Sequence, residues 1–531
     1  MNSINFMEIQ KRRTFAIVAH PDAGKTTITE KILFLGNVIH STGTVKAKKS
    51  GKYVKSDWMK IEQERGISIT SSIMQFNYDN YFINLLDTPG HEDFSEDTYR
   101  ILTAVDCCLM VIDAAKGIET RTKKLMHIIE QQNTPIVVFI NKLDRNSKNP
   151  IELLDEIESK LKITCIPITW PIGIGSRFYG IYHFIHSEIY IYKLKARNYN
   201  KKDEVIKLSD IYDKLLDQYI GVTEAKILRE EIELINISYC KFNKKDFVNR
   251  ITTPVFFGSA LCDIGIIDMF NFLVYYGPSP KYKSTDIRIV QPEEKHFTGF
   301  VFKIQANMDL KHRDRIAFVR IVSGKYYNGI KLQHVRTGSK IIVHKAMRFL
   351  SGDRKIVEDS AYPGDIIGIY NHGSVFIGDT FTEGEIINFI GIPYFSPEIF
   401  RLICLKYPLQ KKQLYKGLSQ LSEEGAIQIF RPITNNNLII GVIGILQLDI
   451  VVERLRIEYK IEVIYKNISI VAIRWIVSND VLQLKTFKDK YKNNLALDNN
   501  NHLVYLVPSF FNLSLIIDKH PNIIFNKIRE N

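Results

Sequence analysis

Cysteine is scarce in this 531-residue sequence, and the six present (Cys107, Cys108, Cys165, Cys240, Cys262 and Cys404) show no CxxC spacing. That excludes the commonest zinc and dithiol frameworks. The adjacent Cys107 and Cys108 lie inside the apolar run DCCLMVID, which suits a buried strand better than a metal site. No apolar run approaches the roughly 20 residues that a membrane helix needs. The opening MNSINFMEIQKRR also lacks the apolar stretch of a secretion signal, so a cytosolic protein with reduced thiols is expected. No internal repeat or low-complexity tract shows. Apolar residues make up 45% and charged residues 24%, values ordinary for folded soluble domains, and the length allows three or four of them. The net charge of +13 suits a phosphate-covered partner such as RNA. It equally suits a chain with Lys spread over plain surface.

From Thr14 onward, apolar runs alternate with amphipathic stretches: TFAIVAH, KTTITEKILFLG, YFINLLD, DCCLMVID and TPIVVFIN. This is the pattern of a parallel sheet covered by helices. It stops near Pro150 and resumes at TPVFFGSA (253–260), so residues 160–250, rich in Lys, Tyr and Glu, read as an insertion in a first domain spanning 11–280. GPSPKYKSTD (277–286) reads as a linker. Between 290 and 388 the strand-like runs FTGFVFKI, IAFVRIVSG, KIIVHKAM and DIIGIYN, punctuated by turns, predict a small β-barrel. From 394 to 531 strands and amphipathic helices mix, which predicts an α+β C-terminal domain with helices laid on a small sheet.

The chemistry concentrates at the ends of the predicted strands. Ala19-His20-Pro21-Asp22-Ala23-Gly24-Lys25-Thr26, followed by Thr27, leaves one strand and opens a helix, the setting of a phosphate-binding loop. Backbone N–H groups there can cradle phosphates, Lys25 can reach the β and γ oxygens, and the Thr26 hydroxyl can ligate Mg²⁺. Ala19 departs from the pattern, which begins with Gly. Asp87-Thr88-Pro89-Gly90-His91 ends the next strong strand. Asp87 can hold Mg²⁺ through water, and the Gly90 N–H can meet a γ-phosphate. Asn141-Lys142-Leu143-Asp144 ends another strand, where the Asp144 carboxylate can accept from guanine N1–H and the N2 amine, donors that adenine does not present. Ser259-Ala260 can add a backbone N–H to the guanine oxygen. Each segment is weak alone. Their order, and their shared place at strand C-termini, make a guanine-nucleotide site the reading, because ligands bind there in doubly wound sheets. A GTP holder without turnover and a metabolic P-loop kinase fit less well. The first would lack part of the set Lys25, Thr26, Asp87 and His91, and the second needs neither NKLD nor a barrel.

With those motifs in view, the chain resembles the translational GTPases. HPDAGKTT, DTPGHEDFSEDTYR and AVDCCLMVIDAAKGIE are similar to that superfamily throughout. RGISITSS (65–72) resembles its first switch, with Ser68 where relatives carry Thr, so that Ser68 joins Thr26 and Asp87 as an implied Mg²⁺ ligand. KSDWM (55–59), ITWPIG (168–173), KHRDRIAFVRIVSGKY (311–326), AYPGDIIGIYNHG (361–373) and QLSEEGAIQIFRPI (420–433) resemble the peptide chain release factor 3 family more closely, over nearly the whole chain. The resemblance implies a GTPase domain, a barrel of elongation factor Tu type and a third domain. It also implies GTP/GDP and Mg²⁺ as ligands, the ribosome and class I release factors as partners, and a monomeric chain. His91 is then the catalytic residue that orients the attacking water, with Pro21 and Ile67 at the gate. The Gly-Gly-Gln tripeptide of the codon-reading factors is absent, so ejection of those factors after peptide release, and not release itself, is the expected role. An elongation-factor-G-like translocase or another ribosomal GTPase stands as the alternative.

Overall fold

The computed structural model describes residues 3–39, 69–192, 205–208, 210–306, 315–350, 353–357, 360–392, 396–478 and 480–527. Its first sheet is made of the apolar runs: β1 (Arg12–Ala19), β2 (Ser72–Tyr78), β3 (Tyr81–Asp87), β4 (Cys107–Asp113), β5 (Ile136–Asn141) and β6 (Cys165–Pro167). Strands β7 (Thr169–Ile172), β8 (Gly180–His183), β9 (Glu188–Tyr192) and β10 (Val205–Leu208) form a separate antiparallel sheet, and β11 (Thr253–Phe257) returns to the first. The main order is β2-β3-β1-β4-β5-β11-β6, with β2 antiparallel to β3 and the other pairings parallel. All residues of β4 and β5 are buried, as expected for parallel strands covered on both faces. Burial pushes the Cys107 thiol up to about 12, which keeps it an inert core residue. The segment expected as an insertion thus contributes both an edge strand to the main sheet and a small sheet of its own.

The second domain is an antiparallel barrel-like sheet organised on the hairpin of Thr298–Ala306 and Arg315–Ser323. Val301, Ile304, Val319 and Ile321 fill its interior. Phe300, Phe318 and Ile316 instead join the apolar cluster of the first domain, so the barrel is docked by its outer face. The predicted linker is packed, not free: the Lys283 ammonium donates to the Thr103 carbonyl at 2.8 Å.

The third domain is α+β, as expected, and it carries a repeat of topology that the sequence itself does not display. Ile399–Leu405, the helix Lys411–Glu423, Gln428–Pro432, Leu438–Val442, the helix Ile445–Tyr459 and Val463–Asn467 form a βαββαβ unit. Ala472–Val477, the helix Val481–Lys490, Leu495–Leu497, Leu503–Val507, the helix Phe510–Lys519 and Ile524–Asn526 form another. In each unit the fourth strand lies beside the first, then the third and the second, the ferredoxin-like order. The units join where Arg431 pairs with Leu497 and Pro432 with Ala496, and Phe400, Phe430 and Ile439 pack on Ile473, Trp475 and Val504. The repeat escaped the sequence because a fold constrains where apolar residues fall, not which ones they are. Among the described residues no helix is long and apolar enough to cross a membrane.

The barrel is locked to the first domain by a buried ion pair. Arg320, 2% exposed, holds Asp106 Oδ2 at 2.5 Å and donates to Thr14 Oγ1 at 2.8 Å and to the Gly364 carbonyl. Arg12 pairs with Asp365 at 3.3 Å nearby. Removing one member of a buried pair strands the other charge. Arg320→Met is therefore expected to cost about 3–5 kcal/mol of stability, read as a lower midpoint of denaturant unfolding, while Lys406→Met, at an exposed pair with Glu462, leaves that midpoint in place.

Candidate functional site

Parallel strands deliver their C-terminal ends to one edge of a sheet, and here β1, β3, β4 and β5 deliver Ala19, Asp87, Asp113 and Asn141. The loop after β1 runs through Asp22 at φ 65 and Gly24 at φ 98 into the helix Lys25–Leu35. A Cβ at Gly24 would strike the Asn141 amide, so this position requires Gly for space as well as for its left-handed backbone. No side chain caps that helix, and its first-turn N–H groups have no acceptors within the helix. That is the donor array an anion needs.

Lys25 and Asp87 are both buried and meet at 2.5 Å. Thr29 Oγ1 donates to the same carboxylate oxygen at 3.2 Å. Thr88 Oγ1 donates to the Ile17 carbonyl at 2.7 Å, and Arg121 Nη2 donates to the Pro89 carbonyl at 3.2 Å, so the segment leading to Gly90 is tied at two points. A Cβ at Gly90 would meet nothing within 4 Å, which leaves space beside it for a ligand. Thr26 and Thr27 are half-buried, and Ala19 and Ala23 are buried.

The loops after β1, β5 and β11, where the sequence analysis expects the guanine base, are stitched together by side chains. Asn141 Nδ2 donates to the Ala23 carbonyl at 2.8 Å while its Oδ1 accepts from the Ala260 N–H at 2.8 Å. Lys142, at φ 73, donates to the Asp22 carbonyl and pairs with Asp113 at 2.7 Å. Leu143 is fully buried. Asp144 Oδ1 accepts from Ser259 Oγ at 2.6 Å, so the carboxylate is aimed by a second loop. Burial alone would raise the Asp113 carboxyl, but Lys142 and the Ala115 N–H outweigh it and hold it below the usual value. His20 is buried, which lowers its imidazole, and it lies 3.3 Å from Glu119 without alignment for a hydrogen bond. Pro21 is exposed.

His91 is 41% exposed and caps the short helix Glu92–Phe94, its Nδ1 accepting from the Asp93 N–H at 3.3 Å and its ring leaning on Phe94. Asp93 in turn reaches the third domain: its Oδ2 accepts from the Leu446 N–H at 2.8 Å, in the first turn of the helix Ile445–Tyr459. Ser68 and Ile67 lie outside the described residues. Thr29, Asp113 and Asp93 were not singled out in the sequence. Asp113 carried a signal, since it ends an apolar strand as Asp87 does. Thr29 and Asp93 carried none, because the partners that matter here, Asp87 and Leu446, are distant in sequence.

The Thr26 hydroxyl and the Asp87 carboxylate are hard oxygen donors that fit Mg²⁺. Among the described residues no three His, Cys, Asp or Glu converge to hold a metal.

Three family models match in succession: Elongation factor Tu GTP binding domain over residues 10–279, Elongation factor G domain 2 over 296–384, and Class II release factor RF3, C-terminal domain over 389–517. The chain is 59% identical over 523 residues to Peptide chain release factor 3 of Buchnera aphidicola subsp. Acyrthosiphon pisum (strain Tuc7), covering 98% of each. It is 55% identical over 533 residues to Peptide chain release factor 3 of Buchnera aphidicola subsp. Baizongia pistaciae (strain Bp), covering 100% of each. A crystal structure of a Thermus thermophilus protein superposes with a TM-score of 0.69 over 88% of this chain and 69% of that one, at 20% identity; this is a likeness of fold alone.

Asp144→Asn is expected to weaken GTP binding by about 1–3 kcal/mol, because guanine donors lose a charged acceptor, and to shift preference toward xanthosine triphosphate, whose carbonyl replaces the amine. Competition titration checks it; an undiminished preference for GTP would remove Asp144 from base reading.

Proposed function

The chain belongs to the peptide chain release factor 3 family of translational GTPases, and from that premise we propose that it is activated by the ribosome and ejects class I release factors once the peptide has been freed. The observation that carries this reading is the contact from Asp93 to the Leu446 N–H. The segment that follows Gly90 is bonded to the C-terminal domain, so a change at the γ-phosphate has a direct route to the domain that matches the release factor C-terminal model.

In this reading the N–H groups of 24–27 bind the phosphates, and Lys25 exchanges its Asp87 partner for β and γ oxygens. Asp144, aimed by Ser259, selects guanine. Thr26, Ser68 and, through water, Asp87 would hold Mg²⁺, which when bound would neutralise charge developing on the phosphates. Gly90 donates to the γ-phosphate. His91, held on Asp93 at rest, swings inward on the ribosome to orient water. Until then hydrolysis is slow, as in switches that lack their activator. The GTP form shifts the ribosome to a state that binds the codon-reading factor poorly, and hydrolysis frees this chain. The protein acts as a monomer in the cytosol.

His91→Ala is expected to leave nucleotide affinity nearly intact and to abolish ribosome-stimulated turnover; affinity and single-turnover hydrolysis measured side by side decide between a catalytic and a binding role. In a purified termination reaction with limiting codon-reading factor, GTP and this protein should accelerate multiple-turnover peptide release while leaving a single round with excess factor unchanged. Acceleration of tRNA movement on elongating ribosomes instead would replace the release-factor reading with a translocase.

A further inference from the structure

The first domain touches the barrel at a further buried charge, and its surroundings differ from those of Arg320. In the strand Thr298–Ala306 the pairing slips between Val301 and Lys303: Val301 faces Val319, but Lys303 faces Phe318. Phe302 is the extra residue of a bulge. A bulge re-aims the side chains that follow it. With simple alternation Lys303 would share the face of Val301, inside the barrel. The bulge turns it onto the face of Phe318 and Arg320, toward the first domain.

Lys303 is 4% exposed, and its ammonium finds three acceptors there. It donates to the Ser71 carbonyl at 2.7 Å, to Ser71 Oγ, and to Asp97 Oδ2 at 3.2 Å. Asp97 Oδ2 also accepts from the Ser71 N–H at 2.9 Å and from Ser71 Oγ at 2.5 Å. Burial by itself would raise the Asp97 carboxyl, but Lys303 and Ser71 hold it below the usual value. Each member of this triad is thus bonded to both of the others, and losing one costs more than its own bond.

The two segments it clasps flank the phosphate end of the site. Ser71 immediately precedes β2, whose first residue, Ser72, pairs with Asp87 at the end of β3. Asp97 lies in the first turn of the helix Ser95–Thr103, which follows His91 and the short helix Glu92–Phe94. The base-side loops are anchored elsewhere: Asn141 to Ala23 and Ala260, and Asp144 to Ser259. A group placed this way can influence recognition of the γ-phosphate without touching the base or the P-loop.

We propose that Lys303 is a positioning residue for GTP hydrolysis, supplied by the barrel, which holds Ser71 and Asp97 together so that β2 and the helix after His91 keep the spacing that recognises a γ-phosphate. The proposal rests on the GTPase reading above and adds to it a specific role for the second domain. The same strand ends at Ala306, whose N–H donates to Glu424 of the third domain at 2.6 Å, so the residue that clasps the switch segments sits on the strand where all three domains meet.

The test uses the full chain and compares GDP with a non-hydrolysable GTP analogue, which differ only in the group the triad is held to sense. In Lys303→Met, GDP affinity is expected to stay within about twofold, while affinity for the GTP analogue and intrinsic kcat fall by about tenfold or more, a coupling of ordinary size. Lys303→Arg, which keeps the charge, is expected to restore much of both. Asp97→Asn combined with Lys303→Met is expected to be no worse than the poorer single variant, since both break one network. Ser71→Ala, which removes an acceptor but keeps the ion pair, gives a milder loss in the same direction and covers the case in which Lys303→Met folds poorly. GDP and GTP-analogue affinities that fall in parallel, or unchanged discrimination and kcat in Lys303→Met and Ser71→Ala, would overturn the proposal and leave Lys303 a purely structural residue. These readouts need no ribosome. Failure of ribosomal stimulation in the unaltered chain would therefore count against the activation reading alone, with the role of Lys303 still decided by the nucleotide comparison.

Discussion

A charge taken out of water must be met by an opposite charge or by several hydrogen bonds, and this constraint organises each junction of the molecule. Asp87 is met by Lys25 where nucleotide phosphates are proposed to bind. Asp106 is met by Arg320 where the barrel docks. Arg454 is held between Glu424 and Glu458 at 2.6 Å each, at the root of the third domain, and Glu424 also accepts from the barrel backbone. Apolar packing brings these surfaces together without fixing their register. The buried pairs fix it, because a small slide would leave charges unpaired.

The pairs differ in what can replace them. Arg320 and Asp106 join two domains away from the proposed nucleotide site and act as a permanent lock. Lys25 and Asp87 form the pair that a nucleoside triphosphate and its cation would separate, each then finding a stronger partner. A switch needs such a bistable contact close to a rigid frame. Here the frame is the parallel sheet and its bond to the barrel. The third domain meets the first through Asp93 at the start of the helix Ile445–Tyr459, through Gln428 to Glu96 at 3.3 Å, and through the packing of Ile450 on Ile69 and Phe94.

The segments proposed to bind phosphate and base were legible because their chemistry is local. Asp22 to Thr26 run from one loop into the helix it opens, and Asn141 to Asp144 run from a strand end into another loop, so spacing alone displays them. The strands that carry them were legible because a strand buried on both faces must be apolar along its whole length, as β4 and β5 are. The βαββαβ pair in the third domain was not legible. Its two units bury different residues at similar places, and only the strand order reveals that they share a plan.

What the sequence determined by itself was the inventory: a guanine-nucleotide motif set, its family, an α/β domain, a barrel and an α+β domain. Tertiary structure decided which groups meet. Asn141 joins Ala23 to Ala260, Asp144 is aimed by Ser259, and Lys303 is turned by a bulge onto Ser71 and Asp97. The reason is physical. Motif chemistry depends on neighbours along the chain, whereas the partner of a buried charge is set by how separate elements pack, and the Lys303 and Asp97 side chains are 206 positions apart in the sequence.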